Sequence, residues 1–231
     1  MRVIVTRARA DAERTATALR VRGHEVLLSP VLEIVGTCAL IDPGAAQAVI
    51  ATSAHAFETL APQILANIRT LPIFVVGSRT AKAALRIGLP APRLTAARAS
   101  DLASQMAPSL SSGSRLLYLA GRDRKPDLEN ALHGKGFAID TAVVYEARAL
   151  GTLSPEAASA LARGEANAVL HFSRRSAQLF LDCAAKGNLS AEAARLRHIC
   201  ISQDAAADLG ALAQVAQTPD SPGLFRALEQ M

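Results

Sequence analysis

The chain has 231 residues, of which 50% are hydrophobic and 19% are charged, and its formal net charge is +5. This composition excludes a disordered chain, because disorder requires low hydrophobicity together with a high net charge. No apolar run reaches the ~18–20 residues that a membrane-spanning helix requires, so we expect no membrane segment. The length suffices for one large domain or two small ones.

Short β-branched runs alternate with stretches rich in Ala and Leu, which is the pattern of a parallel sheet covered by helices. In chain order, the predicted strands are Val3–Val5, Glu25–Leu28, Ala48–Ala51, Ile73–Val76, Arg115–Leu119, Ala138–Val144, Ala168–His171 and His198–Ile201. Helices are predicted over Ala12–Arg22 and Arg79–Ile87, and each is followed by a glycine that suits the left-handed conformation after a helix end. Two further helices are predicted to begin at the N-cap residues Ser100 and Ser154.

The two halves of the chain resemble each other in the order of their elements. The segments that align are Arg2–Val5 with Arg115–Tyr118, Ala48–Ser53 with Ala168–Ser173, and Ile73–Ala81 with His198–Ala206. The offset between partners grows slowly along the chain because the loops differ in length. We therefore predict a tandem duplication that forms two similar α/β lobes, with a ligand cleft between them.

Cysteine and histidine usage gives no sign of a metal site or a disulfide framework. Cys38, Cys183 and Cys200 are widely spaced and lack a CxxC pair, so we expect buried, reduced thiols in a reducing compartment. The histidines show no metal-ligand spacing, and His171 and His198 lie in predicted strands, where a structural role is expected. The common nucleotide, zinc-protease and hydrolase motifs are missing, which leaves a cofactor-free enzyme or a plain binding protein.

The amino-terminal stretch is rich in arginine and superficially resembles a transit peptide. However, it contains Asp11 and Glu13, and its apolar run is too short for a secretory signal. The same stretch is predicted to form a strand and a helix, so we assign it to the folded domain and expect a cytoplasmic protein.

A hydroxyl group or a glycine recurs where a predicted strand gives way to a predicted helix. These turns are Thr6-Arg7, Thr52-Ser53-Ala54, Gly77-Ser78-Arg79-Thr80 and Phe172-Ser173-Arg174. In a parallel sheet they lie at the carboxyl ends of the strands, where backbone N–H groups and helix dipoles favour carboxylate or phosphate. Any single turn is better explained as an N-cap. Together with Arg7, Arg122, Arg174 and Arg175, the set predicts an anionic ligand.

At these residues the sequence resembles the uroporphyrinogen-III synthase family. The motifs that carry the resemblance are Val5-Thr6-Arg7, Ala51-Thr52-Ser53-Ala54, Val76-Gly77-Ser78-Arg79-Thr80-Ala81, Tyr118-Leu119-Ala120-Gly121-Arg122, Val143-Val144-Tyr145 and Phe172-Ser173. Each motif is short, and their order and spacing along essentially the whole chain make the resemblance specific.

The resemblance implies a discontinuous domain arrangement within an α/β fold. Two similar lobes, each a flavodoxin-like parallel β-sheet flanked by helices, would be joined by a two-stranded antiparallel connector. One lobe would comprise residues 1–33 plus 150–231, and the other residues 37–142. The connector strands would be residues 33–36 and 143–147.

The resemblance also implies an activity in tetrapyrrole biosynthesis, on the route to haem, chlorophyll and cobalamin. The enzyme would be a cofactor-independent lyase that cyclises hydroxymethylbilane, with loss of water and inversion of the terminal pyrrole ring, to give uroporphyrinogen III. This substrate carries many carboxylates, in agreement with the predicted anionic ligand. The implied state is a cytoplasmic monomer, with the preceding pathway enzyme as a possible partner.

Tyr145 is the catalytic residue that the resemblance implies. A phenol has a pKa of ~10, so it is protonated at neutral pH and can donate a hydrogen bond to the departing hydroxyl group. The alternative is an ordinary strand tyrosine with a packed ring. The implied substrate-binding residues are Thr6, Arg7, Thr52, Ser53, Ala54, Gly77, Ser78, Thr80, Tyr118, Gly121, Arg122, Ser173 and Arg174.

The chain departs from the family pattern at Ser202-Gln203-Asp204-Ala205, where the family usually has a Gly-x-x-Thr turn. Asp204 is able to cap the following helix, yet its charge would repel a substrate carboxylate. This departure leaves open a second function, a two-lobed sensor that binds a polycarboxylate or tetrapyrrole without converting it.

Nucleic-acid binding is the other alternative, suggested by a calculated pI of about 9.6 and the basic run at residues 122–125. Against it, the chain has no tryptophan, two tyrosines and six phenylalanines, which provide few surfaces for base stacking. No helix-turn-helix or zinc pattern is present either. We therefore predict no nucleic-acid partner.

Overall fold

The computed structural model describes residues 1–37 and 42–230 of the chain. The chain forms two compact units. The first unit comprises Met1–Glu33 together with Arg148–Met231, and the second comprises Ile34–Ala147. Among the described residues, no helix has both the length and the apolar character needed to span a membrane.

Strands and helices alternate along the chain, as the sequence pattern predicts. The strands are β1 (Arg2–Val5), β2 (Glu25–Leu28), β3 (Leu32–Gly36), β4 (Ala48–Ala51), β5 (Ile73–Val76), β6 (Leu94–Ala96), β7 (Arg115–Gly121), β8 (Ala138–Ala149), β9 (Ala168–His171), β10 (Arg197–Cys200) and β11 (Ala213–Val215). The helices are α1 (Arg9–Val21), α2 (His55–Glu58), α3 (Pro62–Ile68), α4 (Ser78–Arg86), α5 (Ala99–Met106), α6 (Asp127–His133), α7 (Pro155–Ala162), α8 (Arg174–Lys186), α9 (Ser190–Ala193), α10 (Gln203–Ala206) and α11 (Ser221–Glu229).

The first unit contains a parallel sheet with the strand order β11-β10-β9-β1-β2. Alternate residues of each strand point to opposite faces. Val3 and Val5 therefore pack with α1 and α11 on one face, while Ile4 and Val169 pack with α7 and α8 on the other. Both faces of the sheet are covered by helices, which explains why its central strands are largely apolar.

The second unit contains a sheet with the strand order β3-β8-β7-β4-β5-β6, and the pairs from β8 to β6 are parallel. Val49 and Ala51 pack on one face with α2, α3 and α4. Ile50 and Phe74 pack on the other face with α5 and α6. This parallel α/β architecture confirms the predicted fold class.

Strand β3 runs beside the long strand β8. The N–H of Thr37 donates to the carbonyl oxygen of Val144 at 3.2 Å, and the N–H of Leu150 donates to that of Val31 at 3.0 Å. Residue numbers rise along one strand as they fall along the other, so the pair is antiparallel. β8 is longer than predicted because it continues through this pairing to Ala149.

The duplication predicted from the sequence extends to the register of the two sheets. In the first unit, Val3 is the register partner of Ala168. Leu116 and Ala48, the residues aligned with these two in the sequence repeat, are register partners in the second unit. The strand orders correspond as well, with β9, β10 and β11 taking the places of β4, β5 and β6.

A side-chain amide closes the start of the central strand pair in each unit. The N–H of Arg2 donates to Oδ1 of Asn167 at 2.7 Å, and the N–H of Arg115 donates to Oε1 of Gln47 at 3.1 Å. Asn167 and Gln47 occupy matching positions in the repeat. The duplication is therefore preserved in a local hydrogen bond as well as in strand order.

His171 and His198 form a buried pair on neighbouring strands of the first unit. Their rings stack with centroids 5.2 Å apart, and Nε2 of His171 lies 3.0 Å from Nδ1 of His198. Nε2 of His198 lies 2.9 Å from the carbonyl oxygen of Ala193. Burial lowers the pKa of both imidazoles, that of His171 to about 3. The burial of the pair and these hydrogen bonds agree with the predicted structural role, although Nδ1 of His171 is buried without a hydrogen-bond partner among the described residues.

Two of the predicted thiols are described by the structure. Cys183 and Cys200 are free and buried, as expected, and burial raises the pKa of Cys200 to about 11. Because the thiolate is the reactive form, Cys200 is protected from oxidation and metal binding. Cys38 lies outside the described residues.

The predicted helix starts give a mixed result. Ser154 accepts a hydrogen bond from the N–H of Ala157 and caps α7, as predicted. The prediction that Ser100 caps α5 is wrong, because the helix begins one residue earlier and the Ser100 hydroxyl donates to Asp101 instead. The proposed cap at Asp204 is also wrong. Ser202 caps α10, because it holds the extended backbone conformation before the helix whereas Asp204 lies within it.

Candidate functional site

Several predicted site residues lie at the carboxyl ends of adjacent strands in the second unit. Thr52 follows β4, Tyr118 lies in the neighbouring β7, and Tyr145 lies in β8 beside β7. Gly121, at the end of β7, is the register partner of Tyr145. This edge of a parallel sheet is where ligands bind in open α/β folds.

The phenol of Tyr118 is held inside the unit. Its hydroxyl lies 3.1 Å from Oγ1 of Thr52, and the residue is only 4% exposed. Burial raises the pKa of Tyr118 even though the hydrogen bond with Thr52 acts in the opposite direction. Tyr118 therefore stays protonated at neutral pH and is engaged with Thr52.

Tyr145 lies directly over the backbone of Gly121. A Cβ atom at Gly121 would stand 2.6 Å from Cζ and 2.8 Å from the hydroxyl oxygen of Tyr145, closer than real contacts allow. The register shifts between Ala120 and Gly121, and the N–H of Arg122 donates to the Tyr145 carbonyl oxygen at 2.9 Å. Glycine is therefore required at this position to leave room for the ring of Tyr145.

A histidine that the sequence analysis did not select lies against Tyr145. The rings of His55 and Tyr145 meet edge to face, with centroids 5.8 Å apart and planes at 63°. Nδ1 of His55 lies 2.9 Å from Oε2 of Glu58, and Arg86 donates to the other carboxylate oxygen at 2.8 Å. Burial acts to raise the pKa of Glu58, but the hydrogen bonds from Arg86 and His55 lower it below its usual value. Glu58 is therefore a carboxylate at neutral pH.

The sequence contains a weak signal for this group. His55 directly follows the Thr52–Ala54 turn, and Glu58 lies three residues later, the spacing at which helical side chains meet. Neither residue forms part of a recognised motif. Their contact with Tyr145 depends on the pairing of strands that are distant in sequence.

Two predicted turns of the second unit differ in how their helix starts are capped. At α2, Oγ of Ser53 accepts from the N–H of His55 at 3.3 Å. In the described part of the chain, no side chain caps α4 after Gly77. Gly77 has a φ of 82°, which suits glycine. The N–H of Thr80 is taken by the Gly77 carbonyl oxygen, and the Thr80 side chain is buried. Ser78 is exposed at the first position of α4.

Four further predicted residues lie in the first unit, where their polar groups have partners within the unit. Thr6 is fully buried and donates to the carbonyl oxygen of Leu170 at 3.0 Å. The guanidinium of Arg7 lies 4.2 Å over the ring of Phe172, and it also pairs with an aspartate one turn along α1. These contacts fix both side chains at the end of β1.

The start of α8, which was predicted to bind an anion, is similarly engaged. Ser173 forms a capping box with Ser176. The Oγ of Ser173 accepts from the N–H of Ser176, and the Oγ of Ser176 accepts from the N–H of Ser173. Arg174 makes two hydrogen bonds to Asp208, at 2.8 and 2.7 Å. Arg122 of the second unit is likewise paired, with Glu146 at 2.6 Å.

The chemistry available in the second unit is that of a fixed phenol beside the start of α4, which has no side-chain cap among the described residues. Within the described residues, no group of three or more His, Cys, Asp or Glu residues is arranged to hold a metal ion. A fixed phenol can donate a proton or a hydrogen bond to a leaving oxygen, and backbone N–H groups can bind carboxylates.

Comparisons with known proteins agree with this arrangement. The family model described as "HEM4: Uroporphyrinogen-III synthase HemD" matches residues 13–226. No curated protein matches the chain.

Two solved structures share the fold. The uroporphyrinogen-III synthetase of Helicobacter pylori is 18% identical and aligns over 99% of both chains with a TM-score of 0.67. A mutant uroporphyrinogen III synthase from Thermus thermophilus is 18% identical and aligns over 100% of both chains with a TM-score of 0.52. At this identity, these two structures support the fold of the chain.

Proposed function

The chain belongs to the uroporphyrinogen-III synthase family, and we propose that it performs the reaction of this family through Tyr145. It is an enzyme of the lyase type that closes hydroxymethylbilane to uroporphyrinogen III. The sensor alternative gains no support from the comparisons, and neither does nucleic-acid binding. The proposal concerns which residues carry out the reaction and how.

The reaction begins with loss of the hydroxyl group of hydroxymethylbilane as water. The C–O bond breaks and the oxygen takes a proton, which Tyr145 would supply or share through its hydrogen bond. The terminal pyrrole then attacks through its substituted carbon, and a spiro intermediate rearranges so that this ring is inverted. A proton leaves as the pyrrole regains aromaticity, so the net change is loss of one water molecule.

One observation carries the choice of Tyr145 over the other tyrosine of the chain. The Tyr118 hydroxyl is buried and paired with Thr52. Tyr145 is half-buried, its ring is fixed over Gly121, and among the described residues its hydroxyl has no hydrogen-bond partner. A phenol that is held in place with a free hydroxyl is suited to donate to a leaving group.

The second part of the proposal concerns substrate binding. We propose that backbone N–H groups at Thr52–Ala54 and at Ser78 bind carboxylates of the substrate. The missing side-chain cap of α4 within the described residues supports the role of Ser78. The N–H of Gly77 is not available, because it donates to the carbonyl oxygen of Ala96 at 2.9 Å. Distributed main-chain donors suit a flexible substrate with many carboxylates, because each contact fixes one arm of the chain. The roles of Thr6, Arg7, Ser173 and Arg174 remain predictions.

We further propose that the reaction needs no cofactor. Loss of water and migration of a carbon–carbon bond leave the overall oxidation level unchanged, so no electron carrier is required. Holding the reacting ends in an attack geometry can supply as much as ~7–11 kcal/mol of the barrier. The monomeric state, the cytoplasmic location and a partnership with the preceding enzyme remain predictions.

The decisive experiment is the conversion of freshly prepared hydroxymethylbilane by the wild-type protein and by Tyr145→Phe. Because general acid catalysis is worth ~10²–10⁴-fold, we expect the variant to lose about 10²-fold or more in turnover. Isomers I and III of the product are resolved to separate enzymatic from spontaneous closure. Tyr118→Phe is the matched control for loss of a phenol, and we expect it to retain more turnover than Tyr145→Phe.

Two outcomes would contradict the proposal at different levels. Unchanged turnover in Tyr145→Phe removes this residue from the mechanism and leaves the family assignment intact. Formation of isomer I alone at the uncatalysed rate by the wild-type protein contradicts the catalytic function itself.

A further inference from the structure

The ring of Tyr145 contacts two neighbours in the second unit. One is the backbone of Gly121, which has no room for a Cβ atom. The other is the imidazole of His55, at 5.8 Å between ring centroids. We propose that His55 is a positioning residue that fixes the direction in which Tyr145 presents its hydroxyl to the substrate. This inference rests on the proposed catalytic role of Tyr145.

The geometry of the ring contact supports this role. The planes of His55 and Tyr145 meet at 63°, close to the edge-to-face arrangement that aromatic rings prefer. Such pairs contribute ~0.5–1.5 kcal/mol beyond the area they bury. The contact therefore favours one orientation of the Tyr145 ring over others.

His55 is itself held in place by a chain of charged groups. Its Nδ1 lies 2.9 Å from the carboxylate of Glu58, and that carboxylate accepts a hydrogen bond from Arg86 at 2.8 Å. Arg79, at the start of α4, adds a further favourable charge near Glu58. The side chain of His55 is 14% exposed. Because His55 is itself held in place, it can in turn restrain the ring of Tyr145.

The helix that carries His55 is also tied to the strand that carries Tyr145. Oγ1 of Thr59 lies 2.8 Å from the carbonyl oxygen of His55 and 3.2 Å from that of Val144, so it can donate its proton to either. Val144 immediately precedes Tyr145. The short helix α2 is thereby linked to β8 at the position of the phenol, in addition to the ring contact.

Loss of this restraint should affect turnover more than binding. A displacement of the reacting group by about 1 Å can lower a rate by ~10²-fold, although no contact with the substrate is lost. We therefore expect His55→Ala to lower kcat by about 10- to 100-fold, with KM changed less than about threefold. His55→Phe keeps an aromatic ring at this position, and we expect it to restore most of the lost kcat.

The test is a double-mutant cycle with Tyr145→Phe. If His55 acts through the Tyr145 hydroxyl, removing the imidazole has no further effect once that hydroxyl is absent. We expect His55→Ala to lower kcat in the wild-type background and to leave it unchanged, within about twofold, in the Tyr145→Phe background. His133→Ala is the control, because His133 is an exposed histidine of the same unit.

Thermal unfolding of every variant identifies those that have lost their fold, and His55→Gln provides a second truncation if His55→Ala does not fold. Equal losses of kcat in both backgrounds overturn the inference, as does a folded His55→Phe enzyme that stays as slow as His55→Ala. If Tyr145→Phe retains full turnover, the proposed catalytic residue fails first. If Tyr145→Phe is slow while His55→Ala is fully active, the inference alone fails.

Discussion

The two units share one register and one strand order, yet they end their strands differently. In the first unit, Ser173 and Ser202 cap the helices that follow β9 and β10. In the second unit, Ser53 accepts from the N–H of His55 at the start of the helix after β4, at 3.3 Å, whereas the helix after β5 has no side-chain cap among the described residues. Gly77, which aligns with Ser202, has a φ of 82°.

A capping serine accepts from an N–H group at a helix start that is otherwise available to an anion. In the second unit, the start of α4 has no such cap among the described residues, and Tyr145 is fixed at the same sheet edge. The duplication therefore provides two scaffolds with one geometry, and the turn residues decide which is equipped for chemistry.

The largest expected effect comes from removing the space below Tyr145. Gly121→Ala introduces a Cβ atom 2.6–2.8 Å from the phenol, so the ring must move. We expect turnover to fall by about 10²-fold, because a 1 Å displacement of a reacting group is enough. Steady-state kinetics, with product isomers I and III resolved, measures this fall in turnover.

The first unit supplies the control for this prediction. Ala8 aligns with Gly121 in the repeat and is a buried alanine, so a Cβ atom is accommodated there. We expect Ala8→Gly to retain the turnover of the wild-type protein. Full activity in Gly121→Ala would show that the position of Tyr145 is not critical.

A second difference between the units is the buried histidine pair. His171 and His198 align with Ala51 and Ile73 of the second unit, which are buried and apolar. Burial lowers the pKa of both histidines in the folded state, whereas an unfolded histidine has a pKa of ~6.5. The neutral pair therefore contributes stability above this value that is lost as the pH falls towards the folded-state pKa of His171, about 3.

This loss can be measured by chemical denaturation at a series of pH values. One such histidine lowers the free energy of unfolding by about 1.4 kcal/mol for each pH unit below 6.5. We expect the double variant His171→Ala and His198→Ile, which copies the second unit, to have a smaller slope below pH 6.5. His133→Ala controls for an exposed histidine, and an unchanged slope in the double variant would contradict the assignment.

Much of the fold follows from the sequence because its signals are local. Glu25–Leu28, Ala48–Ala51, Ile73–Val76 and Ala168–His171 were predicted with the bounds that the structure has. These strands are short, largely apolar runs, and their limits depend on nearby residues. The repeat was also predictable, because the register of a buried strand is fixed by its apolar pattern.

The site was less predictable because its contacts join distant segments. His55 meets Tyr145 only because β8 lies beside β7 and β7 beside β4. Arg174 has a plausible position for binding an anion, but it pairs with Asp208, 34 residues later. Charge and spacing identify candidate residues, whereas the choice of partner depends on tertiary structure.

The smallest expected effect tests whether Ser202 caps its own helix, α10, and does not bind the substrate. Ser202→Ala removes the oxygen that accepts from the N–H of Ala205, and loss of such a cap lowers the free energy of unfolding by about 1 kcal/mol. Ser202→Gly should lose only a few tenths, because glycine is itself tolerated at an N-cap. Because the Ser202 side chain caps α10 and does not contact the substrate in this interpretation, we expect KM for hydroxymethylbilane to be unchanged in both variants. A raised KM without a loss of stability would place this turn in contact with the substrate and remove the distinction between the two units.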